Sequence, residues 1–255
     1  MTAWTGPTPT VRPIQFVTDL PTWRRFYTDL GLVGTGEDAD GWTVLAAPSG
    51  RVALHAAARG GPLEGRTKLG LEVDDLGAYR DAVEAAGLPA RPVTLGHGSA
   101  LEVRVPGIGS VVVDRRQTPA GAAPVTPAVL SVVGLVHTEA VLEGAAAASR
   151  LGFRRRITSD GGGWADLVGH GILGLHAGEA TTVDGTTACE ISLEVGDLAP
   201  LLGKVTESGL QAHLIDEAYG RTLRVTMPDG SELWVNETQR DLYGYHVEEE
   251  TQETR

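Results

Sequence analysis

Leu71-Glu72-Val73-Asp74-Asp75-Leu76 returns as Leu193-Glu194-Val195-Gly196-Asp197-Leu198, 122 residues later. Around it the same spacing recurs. Ala86-Gly87-Leu88 is matched by Ser208-Gly209-Leu210, and Leu101-Glu102-Val103-Arg104-Val105-Pro106 by Leu223-Arg224-Val225-Thr226-Met227-Pro228. Leu54-His55-Ala56 returns as Leu175-His176-Ala177 at a spacing of 121. Several matches at one spacing mark an internal duplication. Between the copies, Gln117 to Pro127 reads QTPAGAAPVTP, a small, polar, proline-containing stretch with linker character. The expected organisation is a domain over 1–117, a linker over 118–127, a second domain over 128–238 and an acidic, solvated tail over 239–255.

Each copy divides again. In the first, Val11 to Val17 has strand character, and a helix opens near Asp19 with Pro21 in its first turn. Trp23, Phe26, Tyr27 and Leu30 form its apolar face and Gly31 stops it. Strands follow at Trp42 to Ala47 and Arg51 to Ala57. The pattern restarts with Lys68 to Val73, a helix capped near Asp74 or Asp75, and strands at Ala100 to Val105 and Ser110 to Asp114. In the second copy, Leu198, Leu201, Leu202 and Val205 form the stripe of the last helix, which Gly209 ends. The order β-α-β-β-β thus occurs four times, an α+β architecture.

Composition bounds the function. With 255 residues, 42 % of them apolar and 21 % charged, the chain can bury a core without staples. The net charge of −12 argues against a partner recognised through its phosphate backbone, so no nucleic acid is expected. A single cysteine, Cys189, excludes an intrachain disulfide and a cysteine-rich zinc site, and reads as a buried small hydrophobe. No apolar run approaches the roughly 20 residues of a membrane span, and Met1 to Pro13 lacks the features of a signal peptide. A cytoplasmic protein without a membrane partner is expected.

Val17-Thr18-Asp19-Leu20 followed by Arg25-Phe26-Tyr27 and Leu30-Gly31-Leu32, the two Leu-Glu-Val-x-Asp-Leu segments, and Met227-Pro228-Asp229-Gly230 before the last strand carry a resemblance. In this order, twice, they resemble the vicinal-oxygen-chelate superfamily of glyoxalase I, bleomycin-resistance proteins, fosfomycin-resistance enzymes and extradiol dioxygenases. The resemblance covers about residues 10 to 238. It implies two tandem domains, each a curved eight-stranded sheet around a cavity, and no single activity. It also implies where a divalent metal sits in the metal-dependent members: on the first strand, at the start of the fifth and on the last, through His, Gln or Glu. In the first copy these positions fall near Arg12, at Lys68, and at Val113, four after Gly109. In the second they fall near Ser131, at Glu190, and at Trp234, four after Gly230. One carboxylate is not a chelate, so no metal and no other cofactor is expected. Gln15 and His137 lie within the uncertainty of the first-strand register, and a displaced site using Glu190 and Glu232 is the alternative.

The remaining candidates each have a functional and a structural reading. His55 and His176 occupy equivalent inward strand positions, as cavity-wall contacts or as hydrogen-bonded structural histidines. Trp42 and Trp164 are paired across the copies, as ring walls or as core. Trp234 suits stacking on an apolar ligand. Lys68 faces an anionic ligand or pairs with Glu102 or Glu72; Glu190 faces a cationic ligand or pairs with an arginine. His97 and Tyr219 precede strands beside glycines, as cavity-mouth loops or as turns. No Ser-His-Asp order, phosphate-binding glycine loop or His-Glu-x-x-His helix is present.

These readings converge on a metal-free protein similar to the bleomycin-resistance branch, capturing a small organic, partly aromatic ligand through Trp164, His176, Glu190, Glu232, Trp234, Tyr219, His55 and Lys68. The alternatives are a glyoxalase- or dioxygenase-like enzyme with a displaced metal site, and a scaffold or interaction module with filled cavities. Duplication within one chain can replace pairing of single domains, so a monomer is expected rather than a homodimer.

Overall fold

The structure, a computed structural model, describes residues 4–96, 98–117, 130–217 and 220–247. The first module comprises β1 (Thr10–Val11), β2 (Ile14–Val17), α1 (Leu20–Asp29), β3 (Val33–Gly34), β4 (Trp42–Ala46) and β5 (Arg51–Ala56). After β6 (Thr67–Lys68) come β7 (Gly70–Val73), α2 (Leu76–Ala85), β8 (Ala90–Leu95), β9 (Gly98–Val105) and β10 (Gly109–Arg115). The third module is β11 (Ser131–Thr138), α3 (Val141–Ser149), β12 (Arg154–Ser159), β13 (Trp164–Gly169) and β14 (Gly171–Ala177). A short hairpin, β15 (Thr182–Val183) and β16 (Thr186–Thr187), leads into β17 (Glu190–Val195), α4 (Ala199–Ser208), β18 (Ala212–Glu217), β19 (Gly220–Thr226) and β20 (Glu232–Glu237). The tail, expected to be solvated, adds β21 (Tyr245–Val247) beside β12.

The predicted caps form. The Asp19 side chain accepts from the Thr22 amide, and Asp75 rather than Asp74 caps α2 by accepting from Gly77 and Ala78. Gly209 ends α4 in the left-handed conformation, φ 72°.

The second half is one sheet ordered β18-β19-β20-β17-β11-β14-β13-β12, with β21 at its edge. The first half has the same plan in two pieces, β8-β9-β10-β7-β1 and β6-β2-β5-β4-β3. They are one sheet interrupted at Arg12-Pro13, where proline removes a ladder donor. Thr10 lies opposite Glu72, Val11 opposite Leu71, Ile14 opposite Lys68 and Gln15 opposite Thr67, a single antiparallel register. The Arg12 amide bridges the gap by donating to the Gly70 carbonyl at 2.9 Å.

Both main cores cross the duplication. One joins Leu71, Tyr79, Val83, Val103 and Val113 of the second module to Val136, Ala145, Leu151, Leu167 and Leu173 of the third. The other joins Trp23, Phe26, Tyr27, Leu45 and Leu54 of the first to Leu193, Leu201, Val205, Leu223 and Val235 of the fourth. The Tyr79 hydroxyl donates to the Leu151 carbonyl at 3.0 Å, tying the halves together inside the first of these. The contact between halves is two-fold in pattern: Thr10 bridges His170 as Ser49 bridges Ser131. Gly50 and Gly171 meet there with positive φ, and a Cβ on either would lie 3.1–3.2 Å from the other's Cα. The helices and shared cores occupy one face of each sheet, which leaves a helix-free face on each half for any site.

Candidate functional site

Strand parity decides what each helix-free face presents. In the first half these positions are Thr10, Arg12, Ile14 and Phe16; Trp42 and Val44; Arg51, Ala53 and His55; Lys68 and Glu72; Val112 and Asp114. Charges fill the middle of this face. The Arg12 guanidinium pairs with Glu72 at 3.1 Å and hydrogen-bonds Asp114; Arg51 reaches Glu37 at 2.8 Å and Glu72 at 3.3 Å. Arg116 pairs with Asp74 at 3.2 Å and hydrogen-bonds the Thr10 hydroxyl. Thr10, Arg12, Arg51, Glu72, Asp114 and Arg116 are buried while Asp74 is exposed, and burial pushes the Arg116 guanidinium below its ordinary range. Toward the other end, Ile14, Phe16, Val44 and Ala53 form an apolar cluster that Val183 of the β15–β16 hairpin joins from the second half. The first face is therefore closed by the chain's own side chains.

In the second half the corresponding positions are Ser131, Val133, Leu135 and His137; Trp164 and Asp166; Gly174 and His176; Glu190, Ser192 and Glu194. On β19 and β20 they are Thr222, Arg224, Glu232, Trp234 and Asn236. A β-bulge between Arg155 and Ile157 aims Arg156 into this face. Arg156 bonds both oxygens of Asp166, at 2.9 and 2.7 Å, and both of Glu194, at 2.5 and 2.7 Å. Burial alone would lower its guanidinium, but its hydrogen bonds to Glu194 and Asp166 outweigh this and hold it above its ordinary range. This is a structural clamp at the base of the face. Above it, the His137 ring lies 5.4 Å from that of His176, which lies 6.1 Å from Trp164, both edge-on. Glu190 reaches His137 Nε2 at 3.4 Å. Trp234 is 39 % exposed and carries the Arg224 guanidinium 5.3 Å over its ring.

The first half has a matching set: Phe16 stands where His137 does, and Lys68 where Glu190 does. Phe16 and Trp42 flank His55 at 5.3 and 5.7 Å, and the Lys68 ammonium lies 5.4 Å from the Phe16 ring. Equivalent positions at the two faces thus carry opposite charges.

Several expectations are corrected. Lys68 pairs with neither Glu102 nor Glu72; its acidic neighbour is Asp184 of the hairpin, at 4.0 Å, because that hairpin runs antiparallel beside β6. Glu102 is taken by Ser110 and Arg91. Glu190 meets a histidine rather than an arginine. Glu232 hydrogen-bonds no part of this group; it pairs with Arg224, and with His213 at 3.7 Å, on the strands to its other side. Val113 is not the partner of Trp234. Leu71 pairs with Val113 as Leu193 pairs with Val235, so Val113 packs into the helix-side core and Val112 corresponds to Trp234. Anchoring both turns on a glycine shifted the first by one residue, which moves a side chain to the opposite face. Gln15 also faces the helices, accepting from the Tyr27 hydroxyl at 2.8 Å. Cys189 is buried in the core, where burial pushes its thiol up. Tyr219 and His97 lie outside the described residues.

The donor set does not fit the divalent metal that the resemblance implies. By register, the first-strand position equivalent to Arg12 is Val133, two residues along from Ser131. The three positions are then Arg12, Lys68 and Val112 in one half and Val133, Glu190 and Trp234 in the other. Among the described residues no three His, Cys, Asp or Glu side chains are placed to hold an ion. A cavity of about 710 Å³ lies away from the ring groups, where Asp74, Ser99, Asp114 and Arg116 surround the start of α2. Its lining is polar and includes none of the expected ligand contacts. Among the described residues no helix is long and apolar enough to cross a membrane.

No family model matches the chain and no curated protein matches it by sequence. Solved structures do match in fold. The 2,3-dioxygenase LapB from Pseudomonas sp. KL28 superposes with a TM-score of 0.59 at 16 % identity, covering 93 % of this chain and 94 % of that one. The Mn(II)-bound glyoxalase from Novosphingobium aromaticivorans gives 0.57 at 18 %, covering 94 % and 84 %. The homoprotocatechuate 2,3-dioxygenase of Brevibacterium fuscum, in complex with 3,4-dihydroxyphenylacetate, gives 0.57 at 17 %, covering 94 % and 83 %. Four β-α-β-β-β modules, paired into two eight-stranded sheets back to back across shared helical cores, give this chain the fold of the vicinal-oxygen-chelate superfamily.

Proposed function

We propose that the chain binds a small, flat, partly aromatic organic molecule on the helix-free face of its second half, without the divalent metal of its metal-dependent structural neighbours. The observation that carries this reading is the triplet Val133, Glu190 and Trp234, which offers one carboxylate where a chelate needs three donors. In place of ligands the face presents rings: Trp234 backed by Arg224, and the edge-on set of Trp164, His176 and His137. Rings supply apolar contact, while Glu190 and the imidazoles supply the few polar contacts that fix orientation. The first face, filled by its own ion pairs and by Val183, serves as scaffold in this reading.

The test combines metal analysis by native mass spectrometry with fluorescence titration of a panel of aromatic compounds. Protein purified without a chelator or a metal column carries no stoichiometric metal. Trp234→Ala weakens the best ligand by about tenfold or more. Stoichiometric zinc, iron, nickel or manganese, or an unchanged affinity in that variant, overturns the reading.

A second reading, an enzyme of the dioxygenase or glyoxalase type with a displaced metal, is favoured by one observation. His137 lies beside both Glu190, at 3.4 Å, and the His176 ring, at 5.4 Å between ring centres, so two donors stand close and a third lies near them. In that case Glu190→Ala removes bound metal; unchanged metal content excludes it.

A further inference from the structure

The two helix-free faces begin from the same plan and end differently, and beside the exchange of Lys68 for Glu190 one difference is a hairpin. At the first face, Phe16, His55, Trp42 and Lys68 stand where His137, His176, Trp164 and Glu190 stand at the second. The second set is the more open at two positions: the His137 and Glu190 side chains are 36 % and 70 % exposed, where Phe16 is buried and the Lys68 side chain is 17 % exposed; His55 and His176 are exposed alike. At the first, the tip of the β15–β16 hairpin has moved in. Val183, 4 % exposed, is buried in one cluster with Ile14, Phe16, Val44 and Ala53, against which Trp42, Leu63 and Ala188 also pack. The next residue, Asp184, directs its carboxylate to the Lys68 ammonium at 4.0 Å. An apolar body against rings, followed by a carboxylate facing a lysine, is the arrangement expected of a bound ligand.

We infer that the first face is a second, latent binding site for apolar carboxylates, and that Val183-Asp184 occupies it as a built-in substitute for such a ligand. Lys68 fixes the anionic class: its side chain is only 17 % exposed, and its acidic neighbour stands beyond the 2.7–2.9 Å of a close charged hydrogen bond. A free carboxylate able to approach closer has something to gain. The hairpin is suited to leaving. Each strand has two residues, joined by Asp184 and Gly185 at φ 51° and 73°, and so short a ribbon has little stability of its own. Its base is held by hydrogen bonds, its tip by the apolar packing of Val183 and the 4.0 Å approach of Asp184 to Lys68. The Leu69 amide donates to the Thr187 carbonyl at 2.8 Å, and the Thr187 hydroxyl donates to the Ile108 carbonyl at 3.0 Å. The tip can lift about that base without loosening β17. The ligand's apparent affinity is then its intrinsic affinity scaled by the fraction of molecules with the tip lifted.

The probe is 2-naphthoate, with 2-naphthalenemethanol as its uncharged counterpart. Calorimetric titration uses the full chain carrying Trp234→Ala, so that the second face contributes little. Adding Val183→Gly and Asp184→Asn tightens 2-naphthoate by about tenfold or more, because the competent fraction rises. Lys68→Ala on that background returns the affinity to the starting value, and the alcohol shows a much smaller gain. Should the double substitution not fold, Val183→Ala gives the same direction at smaller size. In the unmodified chain, saturating 2-naphthoate speeds amide hydrogen exchange over residues 182–185 while leaving β17 protected. A folded hairpin variant with no gain, a gain that survives Lys68→Ala, or exchange that ligand leaves unchanged overturns the inference. None of these outcomes bears on the second face, whose reading stands or falls on its own titration.

Discussion

Arg156→Ala tests whether the base of the second face is structural. The substitution removes four hydrogen bonds and strands two carboxylates, Asp166 at 2 % exposure and Glu194 at 9 %. Removing one partner from a buried charged group costs about 3–5 kcal/mol, because the others are left uncompensated. For a chain this size, with a urea slope of about 3 kcal/mol per molar, the unfolding midpoint falls by roughly 1–2 M at pH 7. The pH dependence is the sharper part. Burial already pushes the Asp166 carboxyl up against the downward pull of Arg156. Without the arginine only the Ile157 amide, donating at 3.2 Å, opposes that push, and the neighbouring Glu194 adds to it. A folded-state value raised above the unfolded one imposes a penalty that is present at neutral pH and is relieved as acid protonates Asp166. The gap between variant and wild type therefore narrows from pH 7 to pH 4.5. Urea titrations followed by far-ultraviolet circular dichroism at both pH values measure it. A midpoint shift below about 0.3 M, or a gap that does not narrow in acid, refutes the clamp.

Three further outcomes follow from the contacts between and within the halves. Gly171→Ala places a Cβ 2.9 Å from that of Val11 at φ 94°, and lowers stability by about 2–4 kcal/mol in urea titration. Tyr79→Phe loses the hydroxyl's bond to the Leu151 carbonyl and costs about 1 kcal/mol, seen as a fall of roughly 2–4 °C in melting temperature. Hydrogen bonds from Arg221 hold the Glu237 carboxyl below its usual range, so this pair stabilises the fold above the unfolded glutamate value and the benefit is lost on acidification. Glu237→Gln accordingly flattens the acid side of the stability profile, measured by thermal melts from pH 7 to pH 3.

The fold was legible because it is written twice. The Leu-Glu-Val-x-Asp-Leu repeat, the Asp19 cap and the Gly209 stop each found their structural counterpart. Register was less legible. Val113 and Val112 look alike in sequence, and only pairing with Leu71 shows which faces the helices. The site was legible where residues are local to a strand pair, as with Trp164 opposite His176. It was not legible where it depends on distant chain. Asp184 beside Lys68, Arg156 between Asp166 and Glu194, and Val183 among Ile14 and Phe16 join residues whose separation carries no spacing signal. The bulge that aims Arg156 leaves no sequence mark either.

The core that joins the first module to the fourth has a consequence for how the chain is made. Trp23, Phe26, Tyr27 and Leu54 leave the ribosome early with Leu45 and Val52 of their own module, yet the fourth-module share of their core begins at Leu193. About 140 residues of synthesis separate the two, on the order of 10–30 s at typical elongation rates. Throughout that interval the aromatic helix has its own module's strands but not the fourth-module half of its core. The second and third modules, adjacent in the chain, meet no such delay. The nascent protein thus completes its middle before its ends, and its period of greatest exposure to aggregation and to chaperones falls before the fourth module arrives.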